Sequence, residues 1–322
     1  MNPKIKIENS TIGYSQKDLI DRLNSLSKIE SSGLEERANS LGSRSIKNPL
    51  KLEVIDFLIS LLDLTTLEGI DTKNKVHQII SKALFPDKGS DLKTHPAAVC
   101  LYNDRIGIAS EILKEKYSSE KIHLAAVSTA FPSGRASLTV KLQDTEDALK
   151  SGADEIDMVI DRSKFLEGKY KEVLEEIETI RELTHSYHGR LKVILETGEL
   201  GSNQNIKKAS FLAMLARPDF IKTSTGKVGV NANPVTNLIM MRAVKEFYLS
   251  DRVQIGFKPA GGVKNTKDAL KIYSLANEIL GNLWLNPDFL RIGASTLLND
   301  LLLQRHKIIT GNYANPYEIG IE

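Results

Sequence analysis

The sequence predicts an α/β protein, a (β/α)8 TIM barrel with a short helical N-terminal extension. Three observations predict it. Short apolar runs recur eight times along the chain, and longer amphipathic stretches lie between them. The runs are nearly continuous in apolar character, as expected of parallel strands covered on both faces. Eight such units in about 260 residues match the ~250 residues typical of this barrel. An open doubly wound sheet is the competing arrangement. It usually shows G-x-G-x-x-G after its first strand, and none stands there.

In chain order, residues 1–50 read as an extension and residues 51–322 as the barrel domain with a C-terminal tail. The extension is rich in serine and charge, with two short polar helices expected over about Gln16–Leu26 and Gly33–Leu41. The strand candidates are Ile59–Asp63, Ala97–Tyr102, Ile122–Val127 and Glu155–Ile160, then Leu191–Glu196, Asp219–Thr223, Val253–Lys258 and Leu290–Ala294. Between them, Val173, Ile177, Ile180 and Leu183 fall near a 3.6-residue spacing and predict a helix over Tyr170–Tyr187. A second helix is expected over Thr266–Leu280. Strands alternating with helices define the α/β class.

Composition narrows the partners. Forty-three Lys and Arg against 41 Asp and Glu leave a net charge of +2, with no basic surplus for nucleic acid and no acidic tail. Cys100 is the single cysteine, which excludes an intramolecular disulfide and argues against a cysteine-based zinc site. The first residues lack a secretory apolar core, no run reaches the ~18 residues of a membrane span, and Glu8, Asp18 and Asp21 oppose a mitochondrial presequence. A cytoplasmic protein without membrane or nucleic-acid partners is expected.

In a β/α barrel the active site forms at the C-terminal ends of the strands. Those ends carry Asp63, Cys100, Asp157, Glu196, Lys222, Lys258 and Ser295. Charge on such apolar strands is costly unless paired. Alternation puts Phe220 with Lys222 on one face, Gln254 with Gly256 and Lys258, Glu155 with Asp157, and Lys192 with Ile194 and Glu196. With these faces inward, three lysines meet Asp157, Glu196 and Asp63. An amine attacks a carbonyl only when neutral, and burial beside a second cation favours the neutral form. Lys222 and Lys258, on adjacent strands, suit the roles of nucleophile and activator. The same spacing also admits buried ion pairs without catalysis.

Glycine-rich segments follow these lysines. Thr223-Ser224-Thr225-Gly226-Lys227 and Pro259-Ala260-Gly261-Gly262-Val263 begin directly after Lys222 and Lys258, and Gly293-Ala294-Ser295-Thr296 opens onto a helix. Barrels often hold phosphate in the last such loops and at a helix N-terminus.

The segments Asp63-Leu64-Thr65-Thr66-Leu67, Ala97-Ala98-Val99-Cys100, Gly152-Ala153-Asp154-Glu155-Ile156-Asp157, Glu196-Thr197-Gly198-Glu199-Leu200, Phe220 to Lys227 and Gly256 to Gly262 resemble deoxyribose-phosphate aldolase from about Leu61 to Leu298. The extension resembles that of longer, eukaryotic-type members. The resemblance implies reversible cleavage of 2-deoxy-D-ribose 5-phosphate to acetaldehyde and D-glyceraldehyde 3-phosphate, in deoxyribose phosphate catabolism. It implies no metal and no cofactor beyond a covalent lysine imine, and a homo-oligomer. It assigns the Schiff base to Lys222, its perturbation and proton transfer to Lys258, and general acid/base work to Asp157. Asp63, Cys100, Thr225 and Lys192 would line the sugar site. Gly226, Lys227, Gly261, Gly262, Ser295 and Thr296 would hold the phosphate. Short members of the family end in a tyrosine that reaches the site; here Tyr313 and Tyr317 are the candidates.

Two other functions stay open: a sugar-phosphate binder that has kept the barrel, and a Schiff-base aldolase or transaldolase for a larger substrate. His185 and His188 read as helix-end residues, Glu175-Glu176-Ile177-Glu178 as a solvated helix face and Trp284 as packing. The Phe85–Pro96 loop reads as a surface connection, with a place on the rim of the site left open.

Overall fold

The computed structural model describes residues 13–44, 48–87, 90–229 and 231–315. Three helices come first: α1 (Gln16–Asn24), α2 (Leu34–Gly42) and α3 (Asn48–Ser60). Eight strands follow: β1 (Leu62–Thr65), β2 (Ala98–Tyr102), β3 (His123–Ser128), β4 (Glu155–Val159), β5 (Arg190–Ile194), β6 (Phe220–Lys222), β7 (Gly256–Lys258) and β8 (Ile292–Ala294). The helices between and after them are α4 (Lys73–Leu84), α5 (Asn103–Lys116), α6 (Leu138–Lys150), α7 (Arg162–Leu166), α8 (Tyr170–Ser186), α9 (Asn203–Leu215), α10 (Pro234–Asp251), α11 (Thr266–Ile279) and α12 (Leu297–Thr310).

Strands β1 to β7 pair in parallel in sequence order, and β1 also pairs with β8. Between β7 and β8 the Phe257 N–H donates to the Phe289 carbonyl at 2.9 Å, Arg291 N–H to Phe257 at 3.1 Å, and Gly293 N–H to Pro259 at 2.9 Å. Those bonds and two isolated parallel bridges, Phe257 with Leu290 and Ala260 with Gly293, bring the barrel close to full closure. The predicted fold class holds.

Most strand boundaries shift by a residue or more from the reading of the sequence, and three of the shifts have a physical reason. Ile59 and Ser60 end α3 instead of opening β1, because Ile55, Leu58 and Ile59 form its buried stripe. Val253, Gln254 and Ile255 precede β7, and the Gln254 side chain donates to the Leu283 carbonyl at 3.0 Å. Leu195 and Glu196 lie beyond β5, with Glu196 at a φ of 53°.

The described part of the extension is packed on the barrel wall. Ser15 and Asp18 form a reciprocal capping box at the start of α1. Leu19 and Leu23 are fully buried, with α1 against α8 and α9. Arg22 pairs with Asp251 at 2.6 Å, and the Gln16 amide nitrogen donates to the Gly168 carbonyl. Helix α2 packs on α10 and α11, and α3 packs on α12.

Two expectations about the outer layer change. Glu176 and Glu178 are buried, not solvated, and Glu176 pairs at 2.7 Å with the fully buried Lys141 of α6. Burial pushes the Glu178 carboxyl up to about 7. The Phe85–Pro96 segment enters β2 and so lies at the end of the barrel opposite the strand C-termini. Its described part is tied down by ion pairs from Arg305 to Asp87 at 3.7 Å and to Asp91 at 2.7 Å. It is not on the rim of the site. Trp284 is packed as expected, fully buried, with its Nε1 donating to the Ile255 carbonyl at 2.8 Å. His185 lies 3.0 Å from an Asp219 carboxylate oxygen, and His188 takes the left-handed conformation just past α8.

Candidate active site

Register brings the predicted chemistry to one place. Val127 stands beside Asp157, Asp157 beside Lys192, Ile194 beside Lys222, and Lys222 beside Lys258. Asp157 is the hub. Its Oδ2 accepts from the Nζ of Lys222 and of Lys258, each at 2.7 Å, and its Oδ1 accepts from Lys192 Nζ at 2.9 Å. A lower ring extends this one. Lys192 Nζ lies 2.5 Å from Glu155 Oε2 and 3.4 Å from Asp63 Oδ2, and Lys258 also pairs with Asp63. Arg291 grips both lower carboxylates, with Nη1 2.6 Å from Asp63 Oδ1 and Nη2 2.9 Å from Glu155 Oε1. All seven side chains are buried.

The strands accommodate these groups by giving up side chains elsewhere. A Cβ at Gly256 would lie 2.4 Å from the Phe220 ring, so the glycine leaves space for the aromatic floor of the barrel. The Arg190 and Arg291 guanidinium carbons stand 5.1 and 5.8 Å from that ring centre. A Cβ at Gly293 would lie 3.2 Å from Lys258 Cε, so Gly293 makes room for the lysine.

Charge in this cluster does not cancel. Lys192, Lys222, Lys258 and Arg291 face three carboxylates, Asp63, Glu155 and Asp157. Buried charge is tolerable only when balanced, so one cation is under pressure to lose its proton. Lys222 is that cation. Burial pushes its amine below the ordinary lysine value and Lys258 adds to the effect, against the pull of Asp157. Burial acts the same way on Lys258, but Asp157 and Asp63 together outweigh it and hold that ammonium above its usual value. Lys192 is raised as well, because Asp157, Glu155 and Asp63 overcome its burial. Asp157 is likewise dominated by its neighbours: burial would raise it, and the three lysines hold it well below the carboxylate range. The site therefore offers one amine inclined to be neutral beside one firmly charged ammonium.

Cys100 is buried as predicted, and its Sγ lies 4.0 Å from Asp157 Oδ2. Burial first, then Asp157, push its thiol up, so it behaves as an apolar neighbour. It belongs to a patch with Leu67, Ala98, Ala125 and Val127, bordered by the edge-to-face pair Tyr102 and Phe131. The barrel interior thus has an apolar side on β2 and β3 and an ionic side from β4 round to β8 and β1.

Glu196 departs from expectation. It is buried but turned away from the lysines: its Oε2 accepts from Thr225 Oγ1 at 2.5 Å, and its carboxylate takes the Thr225 N–H at 3.3 Å. It lies beyond the end of β5 with a left-handed backbone, so strand alternation does not apply to it. Burial raises its carboxyl. Thr225 is held by this contact at the head of the loop after β6. That loop is tied to the next, because the Ala260 N–H donates to Thr223 Oγ1 at 2.9 Å and Ser224 Oγ donates to the Ala260 carbonyl at 2.8 Å. Gly226, Gly261 and Gly262 all have φ between 76° and 81°, which glycine alone adopts without strain. Gly226, Lys227, Gly262, Ser295 and Thr296 are exposed around the mouth, and Thr296 starts α12 without a side-chain cap. Lys227 is paired with Glu68 at 2.9 Å across the mouth. Tyr313 is exposed, with Lys307 Nζ 3.9 Å from its ring centre on α12; Tyr317 lies outside the described residues.

Sequence reading missed Arg291 and gave Glu155 no role. Arg291 stands just before β8 and two residues before Gly293, so alternation would have sent it inward. Among the described residues, no group of three or more His, Cys, Asp or Glu side chains is arranged to hold a metal ion. None of their helices is long and apolar enough to cross a membrane.

A closed parallel barrel with reactive side chains collected at its strand C-termini defines a barrel enzyme. The chain belongs to the DeoC/LacD family of aldolases, whose family model matches residues 57–302. It is 40% identical over 284 residues to the deoxyribose-phosphate aldolase of Mus musculus, covering 86% of this chain and 88% of that one. The Homo sapiens deoxyribose-phosphate aldolase matches with the same identity and coverage. The tetrameric deoxyribose phosphate aldolase structure from Aeropyrum pernix shares the fold, with a TM-score of 0.61 at 22% identity, over 88% of this chain and all of that one.

Proposed function

We propose that this aldolase reversibly cleaves 2-deoxy-D-ribose 5-phosphate to D-glyceraldehyde 3-phosphate and acetaldehyde through an imine on Lys222. The observation that carries the reading is the Lys222 nitrogen itself: buried, disfavoured as an ammonium, and 2.7 Å from the same Asp157 oxygen that Lys258 contacts.

Lys222 attacks C1 of the open-chain sugar. The carbinolamine hydroxyl leaves as water with a proton from the Lys258 ammonium, and the cationic imine becomes the electron sink. Asp157, or a water held on it, takes the C3 hydroxyl proton. The C2–C3 bond breaks, C3 becomes the aldehyde of glyceraldehyde 3-phosphate, and the bonding pair moves into an enamine. The proton returns to C2, water adds to the imine carbon, and acetaldehyde departs from a regenerated amine. The imine withdraws the electrons, so these residues suffice without a further electrophile.

The walls suit the substrate. The apolar patch around Cys100 and Val127 borders Asp157, where an unsubstituted C2 or an acetaldehyde methyl group fits better than a hydroxyl. Asp63 and Lys192 support the ring of charge, and Thr225 holds the sugar-side loop. The exposed N-terminus of α12 at Ser295 and Thr296, with Gly226, Lys227, Gly261 and Gly262, suits the 5-phosphate. Lys227 would then exchange its contact with Glu68 for the phosphate.

The same proposal takes residues 1–50 as an extension added to a barrel domain of 51–322, a cytoplasmic setting, and self-association. The Aeropyrum pernix tetramer supports the last of these.

The experiment is reduction with borohydride in the presence of acetaldehyde. The expected result is a single ethyl adduct on the peptide carrying Lys222, with acetaldehyde released from 2-deoxyribose 5-phosphate far faster than any product from ribose 5-phosphate. An adduct on another lysine, or wild-type turnover by folded Lys222→Ala, overturns the mechanism.

A further inference from the structure

The reactive amine sits at the top of an ionic column whose base is a single guanidinium. Arg291 enters from just before β8, is 1% exposed, and reaches the two carboxylates that the upper ring shares. Its Nε donates to the Pro287 carbonyl, which fixes the planar group from behind. Phe220 packs beneath it, with the ring centre 5.8 Å from the guanidinium carbon.

These contacts have an electrostatic consequence. Asp63 and Glu155 each face Arg291 on one side and lysines on the other: Lys258 and Lys192 for Asp63, Lys192 for Glu155. An arginine remains charged at every working pH. It therefore takes up part of the negative charge that would otherwise hold a third ammonium. Without it, three lysines would face three carboxylates, and each could stay protonated.

We propose that Arg291 is a positioning residue for the Lys222 amine: by saturating Asp63 and Glu155 from below, it leaves the column with one positive charge too many and so keeps the Lys222 nitrogen in its nucleophilic form. The proposal rests on the lysine-imine reading above. Arg291 touches neither Lys222 nor the mouth; its effect passes through Asp63 and Glu155 to Lys258, Lys192 and Asp157.

The titratable and charged groups that face this column come from most of the strands around it, with Lys222 on β6 at its top. They are Asp63 on β1, Cys100 on β2, Glu155 and Asp157 on β4, Lys192 on β5 and Lys258 on β7. His95, Glu120, Lys121, His123, Asp154 and Asp288 line the cavity of about 550 Å³ that opens below Arg291. Arg190 pairs with Asp288 at 3.1 Å, and Asp154 lies 4.0 Å from His123, so these lower groups are engaged with one another. Arg291 is the cation that links the lower end to the reactive ring.

The test measures the rate of borohydride-trapped adduct formation with acetaldehyde as a function of pH, in wild type, Arg291→Gln, Arg291→Lys and Glu155→Gln. Removing a cation and removing a carboxylate must act in opposite directions. Arg291→Gln should move the acid limb to higher pH by about one unit and lower trapping at neutral pH about tenfold, with recovery at alkaline pH. Glu155→Gln should move the limb to lower pH. Arg291→Lys should restore the wild-type limb in part. A merely structural role would lower the amplitude in both glutamine variants and leave the midpoints in place, which overturns the proposal. Limbs moving the same way in both variants overturn it as well. If Arg291→Gln does not fold, Glu155→Gln alone decides, since an unmoved or raised limb there is sufficient refutation. Wild-type protein that yields no Lys222 adduct removes the imine reading instead, a result distinct from a normal wild-type limb that Arg291 does not shift.

Discussion

At Gly293 an added methyl group would lie 2.9 Å from the Ala260 Cβ and 3.2 Å from Lys258 Cε. The first contact is with a small side chain in the loop after β7, and the second is with Lys258, the proposed activator. The first contact can be relieved only by moving the backbone around Ala260, and the second by shifting the lysine stem, which would lengthen the 2.7 Å bond from Lys258 to Asp157. Gly293→Ala is therefore expected to affect both chemistry and stability. We expect kcat to fall by about tenfold to a hundredfold, as displacement of a catalytic group by an ångström does. The loss of stability should stay within about 1–3 kcal/mol, the usual cost of overpacking. Steady-state kinetics beside a urea melt separates the two. An unaltered kcat would show that Lys258 need not stand where Gly293 lets it.

Among the elements, α6 and α8 meet through a buried charge pair. Lys141 is fully buried and its Nζ lies 2.7 Å from Glu176, whose carboxyl burial raises in spite of that partner. Breaking such a pair on one side leaves an uncompensated buried charge, whereas replacing both members by apolar groups is often neutral. Lys141→Met should thus cost about 3 kcal/mol at neutral pH, and Lys141→Met with Glu176→Leu should recover most of it. Thermal melts of the two single variants and the double variant form the cycle; additive losses would contradict the pairing. This contact was not legible in the sequence, where Glu175 to Glu178 reads as a solvated face, because a partner 35 residues away cannot be seen from helix periodicity. The parallel strands and the helices over 170–186 and 266–279 were legible, since their spacing is a local property. Boundaries failed where local patterns are ambiguous. Ile59 suits a helix stripe or a strand equally well, and Glu196 escapes alternation through a left-handed backbone that no flanking residue announces. Lys222, Lys258 and Asp157 were legible because charge on an apolar strand stands out. Arg291 stood at a strand edge, where a charged residue looks ordinary.

For the molecule as a whole, the ionic column links activity and folding to pH in different ways. Asp157 and Asp63 lie below their ordinary values in the folded protein, because nearby lysines and, for Asp63, Arg291 outweigh their burial. The unfolded chain therefore binds more protons than the native one at acid pH. The stabilisation these carboxylates provide is complete above about pH 4 and is lost as pH falls below that. Lys222 behaves oppositely, since burial and Lys258 lower its amine, and acidification protonates the nucleophile while the carboxylates are still charged. Activity should consequently fail before the fold does. Between neutral pH and about pH 5 the rate of imine formation should drop about tenfold per unit below the amine's own value, while circular dichroism and the tryptophan emission of buried Trp284 stay native. Unfolding should begin only as the carboxylates protonate. Returning acid-treated protein from about pH 5 to neutral pH should restore full activity at once, because the change that stops imine formation is a proton on the Lys222 amine. A rate loss that tracks the loss of native signal would mean that the column holds the barrel together but does not prepare Lys222 for attack.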